Sequence, residues 1–289
     1  IPISTLKFNA KILKELGLIK IEQEPNGNVV KLTELGEIVL ELIKDNDLNE
    51  IINEIEEKAR KLKKKLYNIL RSINNSHLDS STSSIDILLT LFIKWTRIDR
   101  INPEKNVLIL SKGHAAPALY LVLSEFGYIP EEELDMLGQI GSRLQTHPCR
   151  GLPFVHVSTG SLGQGLSVGC GLALADKMQR KNRKIYVVLG DGELDEGQIW
   201  EAAATAANYK LGNLIAIIDR NYRQLNGSTE EIKKKEPLRE KWQSFGWKVI
   251  ETNVQDYKAF LSAISEAEKT NYTPTVVIAG RNHEKLKEL

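Results

Sequence analysis

Two oxygen-bearing side chains in this sequence each follow a short apolar run that predicts a buried strand. Asp191 comes after residues 185–189, and Asn221 comes after residues 214–218, 30 positions further along the chain. The intervening residues 194–209 carry five alanines and predict a helix. Strand, helix and strand form a parallel βαβ unit, whose strands end at the same sheet edge. Since neighbouring strands lie about 5 Å apart, both side chains can reach one ion.

The donor types indicate which ion the two side chains could share. One carboxylate and one amide oxygen are hard ligands and too few for an all-protein cage, which suits Mg²⁺ completed by phosphate oxygens and water. Gly190 and Gly192 remove side chains from the turn, and a helix beginning at Leu194 would direct unpaired N–H groups there. The pattern predicts a Mg²⁺–diphosphate clamp. The alternative is a surface turn that uses Asp and Gly for turn chemistry alone.

The acidic turn and the later Asn resemble the thiamine-diphosphate signature, in which GDG is followed after about thirty residues by an Asn-containing turn. The segments GDGELDEGQIWEAA and IIDRNYRQLNG resemble transketolase, in particular the amino-terminal subunit of the split form. The resemblance begins near residue 49 and continues to about Ala279. It implies thiamine diphosphate and Mg²⁺ as cofactors, with Asp191, Asn221 and the backbone oxygen of Arg223 as metal ligands.

The same resemblance implies roles for three histidines and two further segments. His77 and His147 match family histidines that meet the substrate, and His114 matches one that contacts the diphosphate. The turn 160–162 matches backbone that touches the aminopyrimidine, and Glu196 lies in a carboxylate contact between subunits. The implied catalytic residues are His77, His114 and His147, and the implied cofactor-binding residues are His114, Gly160, Ser161, Leu162, Gly190, Asp191, Gly192, Glu196 and Asn221.

The chain departs from the family pattern in two places. The glycines that flank the first histidine in the family are replaced by Ser76, Asp79 and Ser80, whose side chains would crowd a loop that approaches a ligand. After the last predicted strand, the family continues with a Lys-Gly-rich loop and a Trp-His-Gly segment. Here the sequence reads GRNHEKLKEL, and His283 does not match the family histidine. This difference is expected to weaken cofactor retention or to abolish activity.

The implied activity is transfer of a two-carbon ketol unit between sugar phosphates. In the family, the glutamate that activates the cofactor belongs to the pyrimidine-binding domain. The resemblance therefore implies a partner subunit that carries this domain, together with self-association of the chain. Two alternatives remain open: a non-catalytic regulator that binds DNA or senses the cofactor, and another type of thiamine-diphosphate enzyme.

The predicted fold is α/β, a doubly wound and mostly parallel sheet, with a small amino-terminal winged-helix-like α+β piece. Strands are predicted at residues 106–110, 185–189, 214–218, 247–251 and 275–279, with helices between them. A long helix is predicted over residues 48–73. Its lysines are expected to form a solvated face; they are Lys61, Lys63, Lys64 and Lys65.

Residues 1–48 lie outside the transketolase resemblance and form a predicted segment of their own, with the cofactor domain over 49–289. A helix over 4–16, a hairpin turning at Asn26-Gly27 and a capped helix from Thr33 resemble the carboxyl-terminal part of a winged helix-turn-helix domain. Lys7, Lys11 and Lys14 would then lie on the groove-entering helix. The alternative is a segment that binds no DNA, and the modest charge favours it.

Composition limits the class of protein. The chain has 289 residues, 42% of them hydrophobic and 27% charged, as in soluble globular proteins. A net charge of +1 gives no general attraction to nucleic acid or membrane. Two cysteines are too few for a disulfide framework, and no apolar run reaches membrane-spanning length, so a cytoplasmic protein is expected.

Overall fold

The computed structural model describes residues 10–16, 18–24, 27–72, 77–99, 105–224 and 227–281. The chain consists of two compact units, Ile1–Glu54 and Ile55–Leu289. The sequence analysis also singled out residues that lie outside the described ranges: Lys7, Asn26, Ser76 and His283. The division into segments 1–48 and 49–289 stays a prediction.

The first unit contains a short helix, a hairpin and the start of a long helix. Helix α1 covers residues 10–15. Strands β1, Ile19–Glu24, and β2, Gly27–Leu32, pair antiparallel along their full length, so the predicted hairpin is present. Helix α2, Glu34–Ser72, begins where predicted, because the Thr33 hydroxyl accepts the N–H of the third residue of the helix at 3.0 Å. The assignment to a winged helix-turn-helix domain stays a prediction.

Helix α2 is one continuous helix of 39 residues, whereas the sequence analysis expected one helix from Thr33 and another from residue 48. No glycine or proline occurs between residues 38 and 72, so nothing in the local sequence interrupts the backbone ladder. The expectation of two helices was therefore wrong.

The second unit is built around a sheet of five parallel strands in the order β3-β4-β5-β9-β8. All five strands were predicted from their apolar runs, and the predicted α/β class with a parallel sheet is confirmed. Strands β6 and β7 form a separate two-stranded ladder. The strands are β3 Val107–Leu110, β4 Ile185–Gly190, β5 Leu214–Arg220, β6 Arg223–Gln224, β7 Gly227–Ser228, β8 Lys248–Asn253 and β9 Thr275–Gly280.

Helices cover both faces of this sheet. They are α3 Leu78–Ile93, α4 Ala116–Glu125, α5 Gln164–Met178, α6 Gly197–Asn208, α7 Thr229–Ile232, α8 Leu238–Ser244 and α9 Tyr257–Glu268. Alternate strand residues pack with α5, α6 and α8 in one hydrophobic cluster. The intervening strand residues are buried as well, and α3 and α9 contact strands β5, β8 and β9. Among the described residues, no helix combines the length and apolar character of a membrane-spanning segment.

Small residues let helix α5 lie very close to the sheet. A Cβ on Gly165 would lie 2.4 Å from Ser111 Oγ and 2.9 Å from Ser111 Cα, and a Cβ on Gly169 would lie 2.7 Å from Val187 Cγ2. A Cβ on Gly171, in the same helix, would meet nothing within 4 Å. The first two glycines therefore set the distance between α5 and strands β3 and β4.

This packing predicts opposite effects for two identical changes in one helix. We expect Gly165→Ala to lower the free energy of unfolding by about 2 kcal/mol, because the Ser111 backbone must move to make room. We expect Gly171→Ala to raise it by about 0.5–1 kcal/mol, because alanine favours the helix and meets no neighbour. Urea unfolding of both variants measures the difference; equal effects would contradict the close packing of α5.

Candidate active site

The carboxyl ends of β4 and β5 bring Asp191 and Asn221 to the same edge of the sheet. The two strands are adjacent and parallel, and Gly190 lies opposite Asp219. Asp191 and Asn221 are both buried and line one cavity of about 320 Å³. The structure therefore brings the two predicted ligands to one site.

Asp191 is held by three hydrogen bonds. Its Oδ1 accepts the backbone N–H of Gly192 at 2.8 Å, and its Oδ2 accepts the N–H of Tyr222 at 2.7 Å and Arg220 Nη1 at 3.2 Å. Burial, and after it the neighbouring carboxylate of Asp219, raises the pKa of Asp191 to about 6. The carboxylate is thus fixed in position but carries a charge that its surroundings only partly compensate.

Arg220 links this carboxylate to the segment that follows β7. Its guanidinium also donates to Thr229 Oγ1 at 2.7 Å, to Glu230 at 2.7 Å and to Glu236 at 3.0 Å. It lies 4.1 Å from the ring centroid of Tyr222. A single buried arginine therefore fixes Asp191 and the residues around 229–236 together.

Asn221 and Arg223 complete the predicted metal ligands. Asn221 Oδ1 accepts the N–H of Arg223 at 3.0 Å, and Asn221 Nδ2 donates to Ser83 Oγ at 3.3 Å. The Arg223 side chain forms an ion pair with Asp79 at 3.1 Å, across the cavity wall. Both Asn221 and Arg223 line the cavity, as Asp191 does.

The donor set fits a hard cation that brings further ligands with it. Within the described ranges, no group of three His, Cys, Asp or Glu side chains could hold a metal by itself. One carboxylate with a raised pKa and one amide oxygen at a cavity wall suit Mg²⁺ whose shell is completed by phosphate oxygens. The cation would also offset the charge that burial disfavours at Asp191.

Two of the three predicted histidines lie together at the cavity. The rings of His77 and His114 have centroids 4.8 Å apart, and Ser80 Oγ lies 2.8 Å from His114 Nε2. The serine that replaces a family glycine therefore contacts a predicted functional histidine. His147 is exposed and does not line the cavity. It lies against Gly160, where a Cβ would be 3.2 Å from its Cδ2.

The remaining predicted residues divide between the cavity and its surroundings. Leu162, Gly190, Gly192 and Glu196 line the cavity, whereas Gly160 and Ser161 are exposed and do not. A Cβ on Gly192 would lie 2.7 Å from Gln224 Cβ, so the close approach of this turn requires glycine.

The acidic turn differs from the prediction in one respect. A 3₁₀ turn occupies Gly192–Asp195, and α6 begins only at Gly197. The N–H groups of Leu194 and Glu196 bond to the carbonyl groups of Asp191 and Glu193. The expected helix beginning at Leu194, with unpaired N–H groups at this place, was therefore wrong. The physical reason is the Asp191 side chain, which accepts the Gly192 N–H and closes a tighter turn.

Four buried charged residues at the site were missed by the sequence analysis; they are Lys112, Glu193, Asp219 and Arg220. Lys112 Nζ donates to Asp219 Oδ2 at 2.7 Å and to the Ser80 carbonyl oxygen at 3.1 Å. Glu193 accepts the N–H groups of Gly163 at 2.8 Å and Gly190 at 3.0 Å. Charged residues directly at the ends of buried strands, in LSKGH and IIDRN, were the available signal.

The environment of His114 keeps its ring neutral. Burial, and after it the positive charge of Lys112, lowers the pKa of His114 to about 3. Burial also lowers the pKa of His77, with a contribution from His147. A neutral His114 offers one N–H donor and one acceptor at physiological pH.

Known proteins match most of this chain. Residues 49–281 match the family model described as "Transketolase, thiamine diphosphate binding domain". An apulose-4-phosphate transketolase subunit of Phocaeicola vulgatus is 38% identical over 231 residues, which cover 79% of this chain and 82% of that protein. The 6-deoxy-6-sulfo-D-fructose transketolase subunit SqwG of a Clostridium species is 38% identical over 229 residues, 78% of this chain and 83% of that protein.

Solved structures agree with the sequence relatives. Transketolase from Leishmania mexicana superposes with a TM-score of 0.69 at 29% identity, over 78% of this chain. The match covers 36% of that transketolase, so this chain spans about a third of its length.

The lowered pKa of His114 predicts how stability responds to acid. The unfolded chain binds a proton at this residue below its ordinary pKa of 6.5, whereas the folded chain does so only near 3. The contribution of His114 to the free energy of unfolding is therefore fully present above pH 6.5 and is lost as the pH falls toward 3. When the pH is lowered from 7 to 5, we expect the urea midpoint of His114→Gln to fall less than that of the unmodified chain. A His114 proton resonance that titrates near pH 6 would contradict this expectation.

Proposed function

The chain belongs to the transketolase family, as a thiamine-diphosphate-binding subunit of the split form, and we propose that it transfers a two-carbon ketol unit between sugar phosphates. One observation carries the proposal: Asp191 and Asn221 share a cavity with His77 and His114. The cavity thus combines donors for a metal-bound diphosphate with groups able to exchange protons with a substrate.

Mg²⁺ is the proposed metal at this cavity. Asp191, Asn221 and the backbone oxygen of Arg223 would hold the ion, and diphosphate oxygens and water would complete its shell. The position of Asp191 supports this assignment, because three hydrogen bonds fix its carboxylate without neutralising it. His114, Gly190 and Gly192 would contact the diphosphate.

The turn 160–162 is the proposed binding segment for the aminopyrimidine part of thiamine diphosphate. When bound, this cofactor would supply the nucleophilic carbon for ketol transfer. Gly160, Ser161 and Leu162 would contact its aminopyrimidine, and Leu162 lines the cavity. The left-handed region at Gly163, with a φ of 84°, turns the chain directly into α5 and keeps this segment beside the cavity.

The three histidines have different proposed roles in binding the substrate and the diphosphate. His77 and His147 would bind the substrate hydroxyl and carbonyl groups and move protons there. His114, held neutral by its surroundings, would donate to the diphosphate without adding charge. Ser80 fixes the orientation of His114 through its contact with Nε2.

A second polypeptide is proposed to complete the site. The relatives that match over most of their length are named as subunits, which supports a partner for this chain. The proposed partner carries the pyrimidine-binding domain and contacts Glu196, whose side chain lies exposed at the cavity. We also propose self-association, a cytoplasmic location and a role in sugar-phosphate interconversion such as the pentose phosphate pathway.

Sugar phosphates are the proposed substrate class. One relative is named for a sugar phosphate and the other for a sulfo-sugar, so transketolase subunits of this type differ in the sugar that they use. Both names specify a sugar with an anionic group.

Removing the metal ligands tests the cofactor assignment. We expect Asp191→Ala and Asn221→Ala each to weaken Mg²⁺-dependent thiamine-diphosphate binding by at least about a hundredfold, because even indirect changes around a metal cost 10–100-fold. Titration calorimetry of the chain with its partner subunit measures this affinity. Glu201→Ala, which removes an exposed carboxylate of α6 away from the cavity, is the matched control. Equal affinity in all variants would refute the metal site.

Mixing purified subunits tests the need for a partner. We expect this chain alone to show no ketol transfer, and the mixture with the pyrimidine-binding subunit to transfer ketol units from a ketose phosphate to an aldose phosphate. The reason is that the proposed activating glutamate belongs to the partner. Robust turnover by the isolated chain would overturn this part of the proposal.

A further inference from the structure

A second cavity lies next to the one described above, and we propose that it is a separate binding site for a phosphate-bearing small molecule. It has a volume of about 540 Å³, which is typical of small-molecule sites. Asp79, Asn221 and Arg223 line both cavities, so the Asp79–Arg223 ion pair stands in the wall between them.

The charges that line the second cavity are predominantly positive. Five basic side chains and one acidic side chain line it: Arg60, Lys63, Lys64, Arg223, Arg281 and Asp79. The first cavity has the opposite character, because five carboxylates and only two permanently cationic side chains, Lys112 and Arg223, line it. An anion without a metal is therefore repelled from the first cavity and attracted to the second.

The floor of the second cavity is a built cluster of buried groups. Arg281, whose side chain is 4% exposed, donates to Asp86 at 2.9 Å and to the Ser83 carbonyl oxygen at 2.6 Å. Lys63 forms an ion pair with the same Asp86 at 2.6 Å. Arg281 also lies 3.9 Å from Asp219, the carboxylate that pairs with Lys112. Two carboxylates, Asp86 and Asp219, thus face three cations, which leaves one positive charge in excess around the floor. Lys63 is therefore more than part of the solvated face that the sequence predicted.

Two further cations at the rim of the cavity have no partner among the described residues. Arg60 and Lys64 are exposed and, in the part of the chain that the structure describes, make neither an ion pair nor a hydrogen bond. With Tyr67 they occupy positions i, i+4 and i+7, so the three side chains share one face of α2. Phosphate fits this arrangement, because guanidinium groups bind its oxygens in pairs and lysine adds charge without strict geometry.

The depth of the cavity favours a small anion over an acidic segment of another protein. Buried Ser83, Asn221 and Arg281 form the floor, while exposed Arg60 and Lys64 stand at the opening. A phosphate in this cavity would therefore have cationic side chains both at the floor and at the opening.

The first titration uses the full chain without Mg²⁺, cofactor or partner, so its result does not depend on the proposed function; a second titration uses the two-subunit complex. Inorganic phosphate is titrated at constant ionic strength, and side-chain Nε–H resonances of Arg60, Arg223 and Arg281 report binding. We expect saturation with a Kd of about 1 mM or lower. Arg60→Gln and Lys64→Gln should each weaken binding about five- to tenfold, as expected for loss of one charged hydrogen-bond donor. Lys61→Gln is the matched control, because Lys61 lies on the same helix but pairs with Glu125 outside the cavity.

The outcomes separate the alternatives. The site is supported if binding is saturable, if both variants weaken it and if the control does not. Binding must also persist in the two-subunit complex with bound Mg²⁺ and thiamine diphosphate. Shifts confined to His114 and lost when cofactor is added would place phosphate in the first cavity and overturn the proposal. Loss of binding when only the partner is added would show that the partner fills the cavity, and would overturn it as well.

Discussion

Parallel pairing of β4 and β5 is the constraint on which the candidate site depends. Because Gly190 lies opposite Asp219, both strands end at the same level, and the residues that follow them meet at one edge. The turn after β4 and the turn after β5 can then supply oxygen donors to a common cavity. An offset of the two strands would separate Asp191 from Asn221 and leave each as an ordinary turn residue.

This edge concentrates charge that the fold must balance. Asp191 and Asp219 are both buried, and the Asp219 carboxylate helps to raise the pKa of Asp191. Arg220 partly compensates the charge of Asp191, and Lys112 forms a buried ion pair with Asp219. Lys112 in turn helps to keep His114 neutral. The pKa values of Asp191 and His114 thus depend on the same group of buried charges.

The sequence was sufficient for the parts of the site that depend on local pattern. Apolar runs predicted all five parallel strands, and their sequence positions predicted that Asp191 and Asn221 would meet. The partnership of Lys112 with Asp219 joins residues 107 positions apart, which no local pattern reveals. The late start of α6 at Gly197 depends on a side-chain hydrogen bond of Asp191, and propensity does not show it. By contrast, the continuity of α2 could have been predicted, since its sequence contains no helix breaker after residue 38.

Arg220 connects the buried edge of the sheet to the protein surface. The same guanidinium binds Asp191 within the protein and Glu230 and Glu236 further out, where the Glu236 side chain is 56% exposed. The buried carboxylate and the two outer glutamates thus share one cationic partner. The geometry of the segment 229–236 is therefore tied to the position of Asp191 through a single side chain, although the two lie in different turns of the chain.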